Sequence, residues 1–167
     1  MIHIEEMCQR AKKASRNLSN LTSFQKNRAL GAVAEWLMKE ESRIIEANTK
    51  DMEKARDLQL TRAMVDRLSL TPERIHAIAQ GVEQIIELED PIGEVIEERK
   101  LPSGLNIKKQ RVPLGVIAVI YESRPNVTVD VSALALKSGN ALILRGGSET
   151  IQTNLVLTAG IRLSLIH

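Results

Sequence analysis

The sequence predicts an α/β chain in three parts: N-terminal helices, a charged β-hairpin, and a parallel strand–helix–strand–helix unit. Three observations carry this. Apolar residues recur at helical spacing through residues 1–92. A charge-rich stretch over 94–112 then alternates loosely around Pro102-Ser103-Gly104. From Pro113 to residue 167, two short apolar runs alternate with segments of helical period.

In the helical part, Ile4, Met7, Cys8, Ala11, Ala14 and Leu18 mark one helix face. Cys8 has no base or electropositive neighbour in sequence, so it reads as a small buried hydrophobe. Thr22 stands three residues before Gln25, a capping-box pattern that starts a second helix. Its apolar face is Leu30, Val33, Ala34 and Leu37, with Ile44 and Ile45 as candidates to extend it. Thr71-Pro72-Glu73 is a further start signal: a cap, a Pro in the first turn, and an acid near the positive end of the helix dipole. Ile75, Ile78, Ala79, Val82, Ile85 and Ile86 follow on one face, and Asp90-Pro91 closes the helix. His76 reads as a solvated or packed helical histidine rather than a catalytic one.

EVIEERKLPSGLNIKKQRV reads as two strands around a Gly-containing turn. Lys108, Lys109 and Arg111 could offer phosphates a basic patch, but a solvated strand face is the preferred reading. GVIAVIY then suits a parallel strand covered on both faces. VTVDVSALALKSG fits a strand or a helix; a helix stopping at Gly139 is favoured, because Gly-Asn is a good C-terminal stop. ALILR is the second strand, and TIQTNLVLTAGIRLSLIH has helical spacing through Ile151, Leu155, Ala159 and Leu163, a last helix inside which the chain is expected to stop.

Composition excludes some classes. Apolar residues make up 43% and charged residues 26%, as in ordinary globular proteins. A net charge of +2 and 2% aromatic residues give nucleic acid little to bind, so no nucleic-acid partner is expected. No apolar stretch is long enough for a membrane span. The lone cysteine suits a cytoplasmic setting. His3, His76 and His167 are scattered, so no metal site is expected.

In an open parallel sheet, ligands sit beyond the carboxyl ends of the strands. Both polar clusters of the chain, ESRPN and RGGSE, fall at such ends. In the second, Gly146 and Gly147 would let a ligand approach the backbone, and the next helix would present free N–H groups. Arg145 could reach a phosphate, and Ser148 and Glu149 could bond hydroxyls. An equal reading is a plain turn, with Ser148 as helix cap and Glu149 as first-turn acid. Asn126 could donate to a developing oxyanion or cap the following helix. Neither G-x-G-x-x-G nor a P-loop motif occurs.

VPLGVIAVIYESRPNVTVDVSALALKSGNALILRGGSE resembles the gamma-glutamyl phosphate reductases (glutamate-5-semialdehyde dehydrogenases), the proline-biosynthesis branch of the aldehyde dehydrogenase superfamily. KNRAL, EANTKD, MVDRLSLTPERI and DPIGEV in the helical part resemble the same family. The resemblance implies a partial Rossmann-like βαβα unit of the aldehyde dehydrogenase fold, without the usual glycine fingerprint. It implies reduction of gamma-glutamyl phosphate by NADPH to glutamate-5-semialdehyde, through a cysteine thiolate and a thioester. By similarity Asn126 is the oxyanion donor, Arg145, Gly146, Gly147, Ser148 and Glu149 bind the cofactor ribose, and the 94–112 hairpin is an association arm in a homo-oligomer. Glu122 and Arg124 are substrate-side candidates without an assigned role. Members are more than twice as long, and their nucleophilic cysteine matches no residue here, Cys8 included. The chain is therefore expected to be a truncated N-terminal part, inactive alone, with a two-stranded sheet whose apolar surface is left bare. Two other readings are a non-catalytic nucleotide-binding or subunit-pairing module, and a helical scaffold without a ligand.

Overall fold

The structure is a computed structural model of the chain and describes residues 4–165. Five helices come first: α1 (Ile4–Leu18), α2 (Ser23–Lys39), α3 (Glu41–Asp57), α4 (Arg62–Leu68) and α5 (Pro72–Glu87). A hairpin follows, β1 (Val95–Lys100) and β2 (Asn106–Gln110). The last part is β3 (Val116–Ile120), α6 (Pro125–Lys137), β4 (Ala141–Arg145), a 3-10 turn at Ser148–Thr150, and α7 (Ile151–Ser164).

The capping signals act as read. Thr22 accepts from the Gln25 N–H while the Gln25 side chain accepts from the Thr22 N–H, closing both halves of the box. Thr71 caps α5, with Pro72 in its first turn. Helix α6 stops as Gly-Asn predicts. Gly139 takes φ +68°, its N–H reaching Leu136 O while that of Asn140 reaches Ala135 O. Asn140 Oδ1 then accepts from Gly115 N–H at 2.8 Å, tying the starts of the two parallel strands together.

The core lies among α2, α5, α6 and α7, built on Leu30, Leu37, Ile75, Val82, Val129 and Leu157. Ile44 belongs to it, but not as an extension of α2: the chain breaks at Glu40 and Ile44 enters from α3. Charged groups are buried here too. Lys26 is 1% exposed and its ammonium bonds both Asp90 oxygens, at 3.0 and 2.8 Å. Lys137 donates to Asn27 Oδ1 and Ile86 O, pinning the end of α6 to α2 and α5.

Several expectations are corrected. Cys8 is exposed, because α1 packs against the sheet through a narrow strip on which Ala11 is buried and leaves Ile4 and Met7 open. Strand β3 is not covered on both faces: its residues alternate between exposed and half-buried, and Ile120 is 75% exposed. Helix α7 ends at Ser164, with the Leu165 N–H turned back to Ile161 O and Leu163 O, short of the expected run to the end. His3, Ile166 and His167 lie outside the described residues.

Strands β3 and β4 pair in parallel, Val116 opposite Ala141 through Ile120 opposite Arg145. As expected of two strands alone, apolar surface stays bare: Val116 and Ile120 of β3 are both exposed, and Leu114 just before it is 85% exposed. The hairpin is antiparallel, with Glu97 opposite Lys109, Glu98 opposite Lys108, and a bulge between Val95 and Glu97. All residues of its strands are exposed. Lys108 faces Glu98 and Arg111 pairs with Glu94, so cross-strand acids offset these basic groups.

Candidate functional site

At the carboxyl ends of β3 and β4 the chain makes two polar loops, residues 121–124 and 145–149. Tyr121 N–H bonds Arg145 O at 3.1 Å, so the loops leave the sheet side by side. The second loop lies at one end of a groove of about 1120 Å³ that runs along β4 between α1 and α7. Leu142, Leu144 and Leu155 line its apolar stretch; Arg145 through Glu149, Tyr121 and Asn154 line its polar end.

The two glycines have a steric reason within the chain. A Cβ on Gly146 would stand 2.6 Å from Asn154 Nδ2 and 3.0 Å from Tyr121 Cζ. One on Gly147 would collide with Ser123 Oγ and come within 2.5 Å of Glu149 Oε2. The turn therefore presses on its own neighbours, whatever ligand lies beyond it.

Ser123 Oγ donates to Glu149 Oε2. That bond, with the residue's own N–H and the Ser148 hydroxyl, holds the Glu149 carboxyl below the usual carboxylate range and outweighs partial burial. Glu149 is thus an anion at neutral pH with one oxygen already engaged. Arg145 is exposed, and its guanidinium makes no hydrogen bond or ion pair among the described residues. Ser148 is exposed and caps neither helix: Gly147 sits at the cap of the 3-10 turn and Thr150 at that of α7. Glu149 lies in the 3-10 turn, and the first turn of α7 carries no acid, so the plain-turn reading places it one element too late.

The cap of α7 comes from elsewhere. Asp51, fully buried on α3, accepts from Gln152 N–H at 3.1 Å, Thr153 N–H at 2.8 Å and Thr153 Oγ1 at 2.7 Å. Asn48, one turn earlier, donates to Leu68 O and accepts from Leu70 N–H. EANTKD thus positions the helix behind the glycine turn. Its only sequence signal is polar residues at helical spacing on an otherwise apolar face.

The other candidates do not join the groove. Asn126 sits in the first turn of α6 and does not cap it; Arg124 holds that position without a side-chain bond. Its amide donates to Asp130 Oδ2 at 3.1 Å. Burial pushes the Asp130 carboxyl up, and the Asn126 bond only partly opposes this. Glu122 faces outward to Arg67 of α4 at 3.3 Å, with Arg124 at 4.0 Å. Glu122, Arg124 and Asn126 do not line the groove.

An apolar groove with an unpaired guanidinium, an ionised carboxylate and an exposed hydroxyl at one end fits a dinucleotide, which carries flat apolar, phosphate and diol parts. The chain belongs to the aldehyde dehydrogenase family, which its residues 2–162 match. The gamma-glutamyl phosphate reductase of Proteus mirabilis is 52% identical over 162 residues, 97% of this chain and 39% of that protein. That of Halalkalibacterium halodurans is 49% identical over 167 residues, again 39% of its length. The chain thus spans about two fifths of the curated relatives it matches. The solved gamma-glutamyl phosphate reductase of Thermotoga maritima superposes with a TM-score of 0.95 at 43% identity over 97% of this chain. A probable aldehyde dehydrogenase of Listeria monocytogenes, at 14% identity and a TM-score of 0.69, shares the fold. No helix among the described residues is long and apolar enough to cross a membrane.

Proposed function

We propose that this chain is the cofactor-side part of a cytoplasmic gamma-glutamyl phosphate reductase. In that reaction gamma-glutamyl phosphate, NADPH and a proton give glutamate-5-semialdehyde, NADP+ and phosphate, the bound nicotinamide supplying the hydride. The observation that carries the reading is the joint likeness in sequence and shape to reductases along nearly the whole chain. On this reading Arg145 meets a cofactor phosphate, while Ser148 and the free oxygen of Glu149 bond ribose hydroxyls. Gly146 and Gly147 keep the turn low enough for the cofactor to lie along the groove. Asn126 is the oxyanion donor, its amide oriented by Asp130. Glu122 and Arg124 are the substrate-side charges. The 94–112 hairpin is the association arm of a homo-oligomer. The attacking thiolate is not Cys8, which stands exposed on α1.

The test is a chimera in which residues 1–167 replace the matching part of the Proteus mirabilis reductase. Semialdehyde- and phosphate-dependent reduction of NADP+ by a folded chimera supports the reading; a folded but inactive chimera overturns it. Calorimetry of the 167-residue chain with NADPH tests the cofactor assignment separately. Micromolar binding supports it, and absence of binding to folded chain removes it.

A further inference from the structure

We propose that Tyr121, Thr128 and Asn154 are positioning residues that hold the cofactor-side turn in its binding shape, with Ser123 doing the same for the Glu149 carboxylate. The proposal rests on the reading of residues 145–149 as the cofactor turn.

A single line of hydrogen bonds runs from the end of β3 to the turn. Tyr121 Oη lies 2.6 Å from Thr128 Oγ1. Thr128 Oγ1 donates to Asn154 Oδ1 at 2.8 Å. Asn154 Nδ2 donates to Thr150 Oγ1 at 3.0 Å, and Thr150 Oγ1 to Gly147 O at 3.4 Å. The direction follows from proton counting. Each threonine hydroxyl has one proton. Thr128 gives its proton to Asn154, so the Tyr121 phenol must donate to Thr128. Thr150 gives its proton to Gly147, so Asn154 must present its NH2 to Thr150 and its carbonyl to Thr128. Thr128 and Thr150 are fully buried, where a lost partner is costly because water cannot replace it.

The same residues fix the turn sterically. Tyr121 and Asn154 are the groups that a side chain at Gly146 would strike, and Ser123 and Glu149 those at Gly147. Ser123 and Tyr121 both come from the loop after β3. The two strand-end loops are therefore one mechanical unit, and the first sets the backbone and the carboxylate of the second. None of these four roles requires contact with the substrate.

The test is an NADPH titration of the full 167-residue chain by calorimetry, with wild type, Tyr121→Phe, Thr128→Val, Thr128→Ser and Ser123→Ala. Tyr121→Phe removes one hydrogen bond, to Thr128, and Thr128→Val removes two, with Tyr121 and with Asn154, at little change of shape. We expect each to weaken binding about three- to tenfold. Thr128→Ser keeps the hydroxyl and is expected to bind close to wild type, which a purely packing role for the Thr methyl would not allow. Ser123→Ala, at the loop, is expected to weaken binding about threefold with unchanged thermal unfolding. Amide NMR of Gly146 and Gly147 in the free chain should change in Tyr121→Phe and be restored in Thr128→Ser. Wild-type binding with unchanged affinities in Tyr121→Phe, Thr128→Val and Ser123→Ala overturns the proposal alone. So does Thr128→Ser behaving as Thr128→Val. A folded wild type that binds no NADPH overturns the cofactor reading, and the proposal with it.

Discussion

The packed helices bury several charged and amide groups, whereas the strands leave much of their apolar surface open. Lys26, Asn48, Asp51 and Lys137 lie in or against the core, each with hydrogen-bond partners from another element. Leu114, Val116 and Ile120 around β3, and Ile96 and Ile107 of the hairpin, lie open. The difference separates two kinds of order. In the helical region a buried polar group is costly unless its partner is in place, so each such group fixes how two elements meet. In the strand region, register follows from backbone pairing and cross-strand charge, and few side chains are locked.

The contrast should be sharpest at Asp51. Asp51→Ala leaves the Gln152 and Thr153 N–H groups and the Thr153 hydroxyl without their acceptor in a dry site. A loss of about 4 kcal/mol is expected, read by urea unfolding followed by circular dichroism. Asp51→Asn, which keeps an acceptor, should lose less.

Next in size is Asp90. Asp90→Ala strands the buried Lys26 ammonium, at an expected cost of about 3 kcal/mol in the same unfolding measurement. Its pH dependence has a definite sign. Burial alone would raise the Asp90 carboxyl, but bonds from Lys26, the Ile92 N–H and the Ser23 hydroxyl outweigh it and lower it. A carboxyl lowered on folding contributes fully above its unfolded value, about 4, and loses that contribution as pH falls through the folded value. Wild type should therefore lose stability below about pH 4 more steeply than Asp90→Asn.

A smaller effect is expected at Gly160, where α7 crosses α2. A Cβ there would stand 2.1–2.3 Å from three atoms of the Trp36 ring. Alanine gains about 1 kcal/mol of helix propensity, while overpacking costs about 1–3 kcal/mol. Net destabilisation with a shift of Trp36 fluorescence is expected; stabilisation would mean that the ring moves freely. The hairpin supplies the opposite limit. Glu98→Ala removes an exposed ion pair with Lys108 and an exposed hydrogen bond from Asn106, and should leave the unfolding midpoint nearly unchanged. A measurable loss there would break the contrast between the two regions.

The parts of the fold that were legible share a short range. Thr22 with Gln25, Thr71 with Pro72, the Gly139 stop and the 94–112 hairpin each depend on residues close in sequence. The residues missed act over long range. Asp51 caps a helix 101 residues away, and its own neighbourhood gives no hint of that. The exposure of Cys8 depends on how little of α1 the sheet covers, which periodicity cannot weigh. At the site, the RGGSE turn was legible as a polar cluster at a strand end. Its partners were not: Ser123 meets Glu149, and Thr128 meets Asn154, each across 26 residues.

By itself the sequence determined the strand–helix order after Pro113, the caps at Thr22 and Thr71, the hairpin and the two polar strand ends, because each is fixed by backbone geometry and nearest neighbours; it did not separate α3 and α4. Only the tertiary structure decided why the two glycines are needed, which way Asn126 and Glu122 point, and which buried acid caps which helix. Those outcomes depend on desolvated groups finding partners from distant segments, and such pairings exist only once the chain is packed.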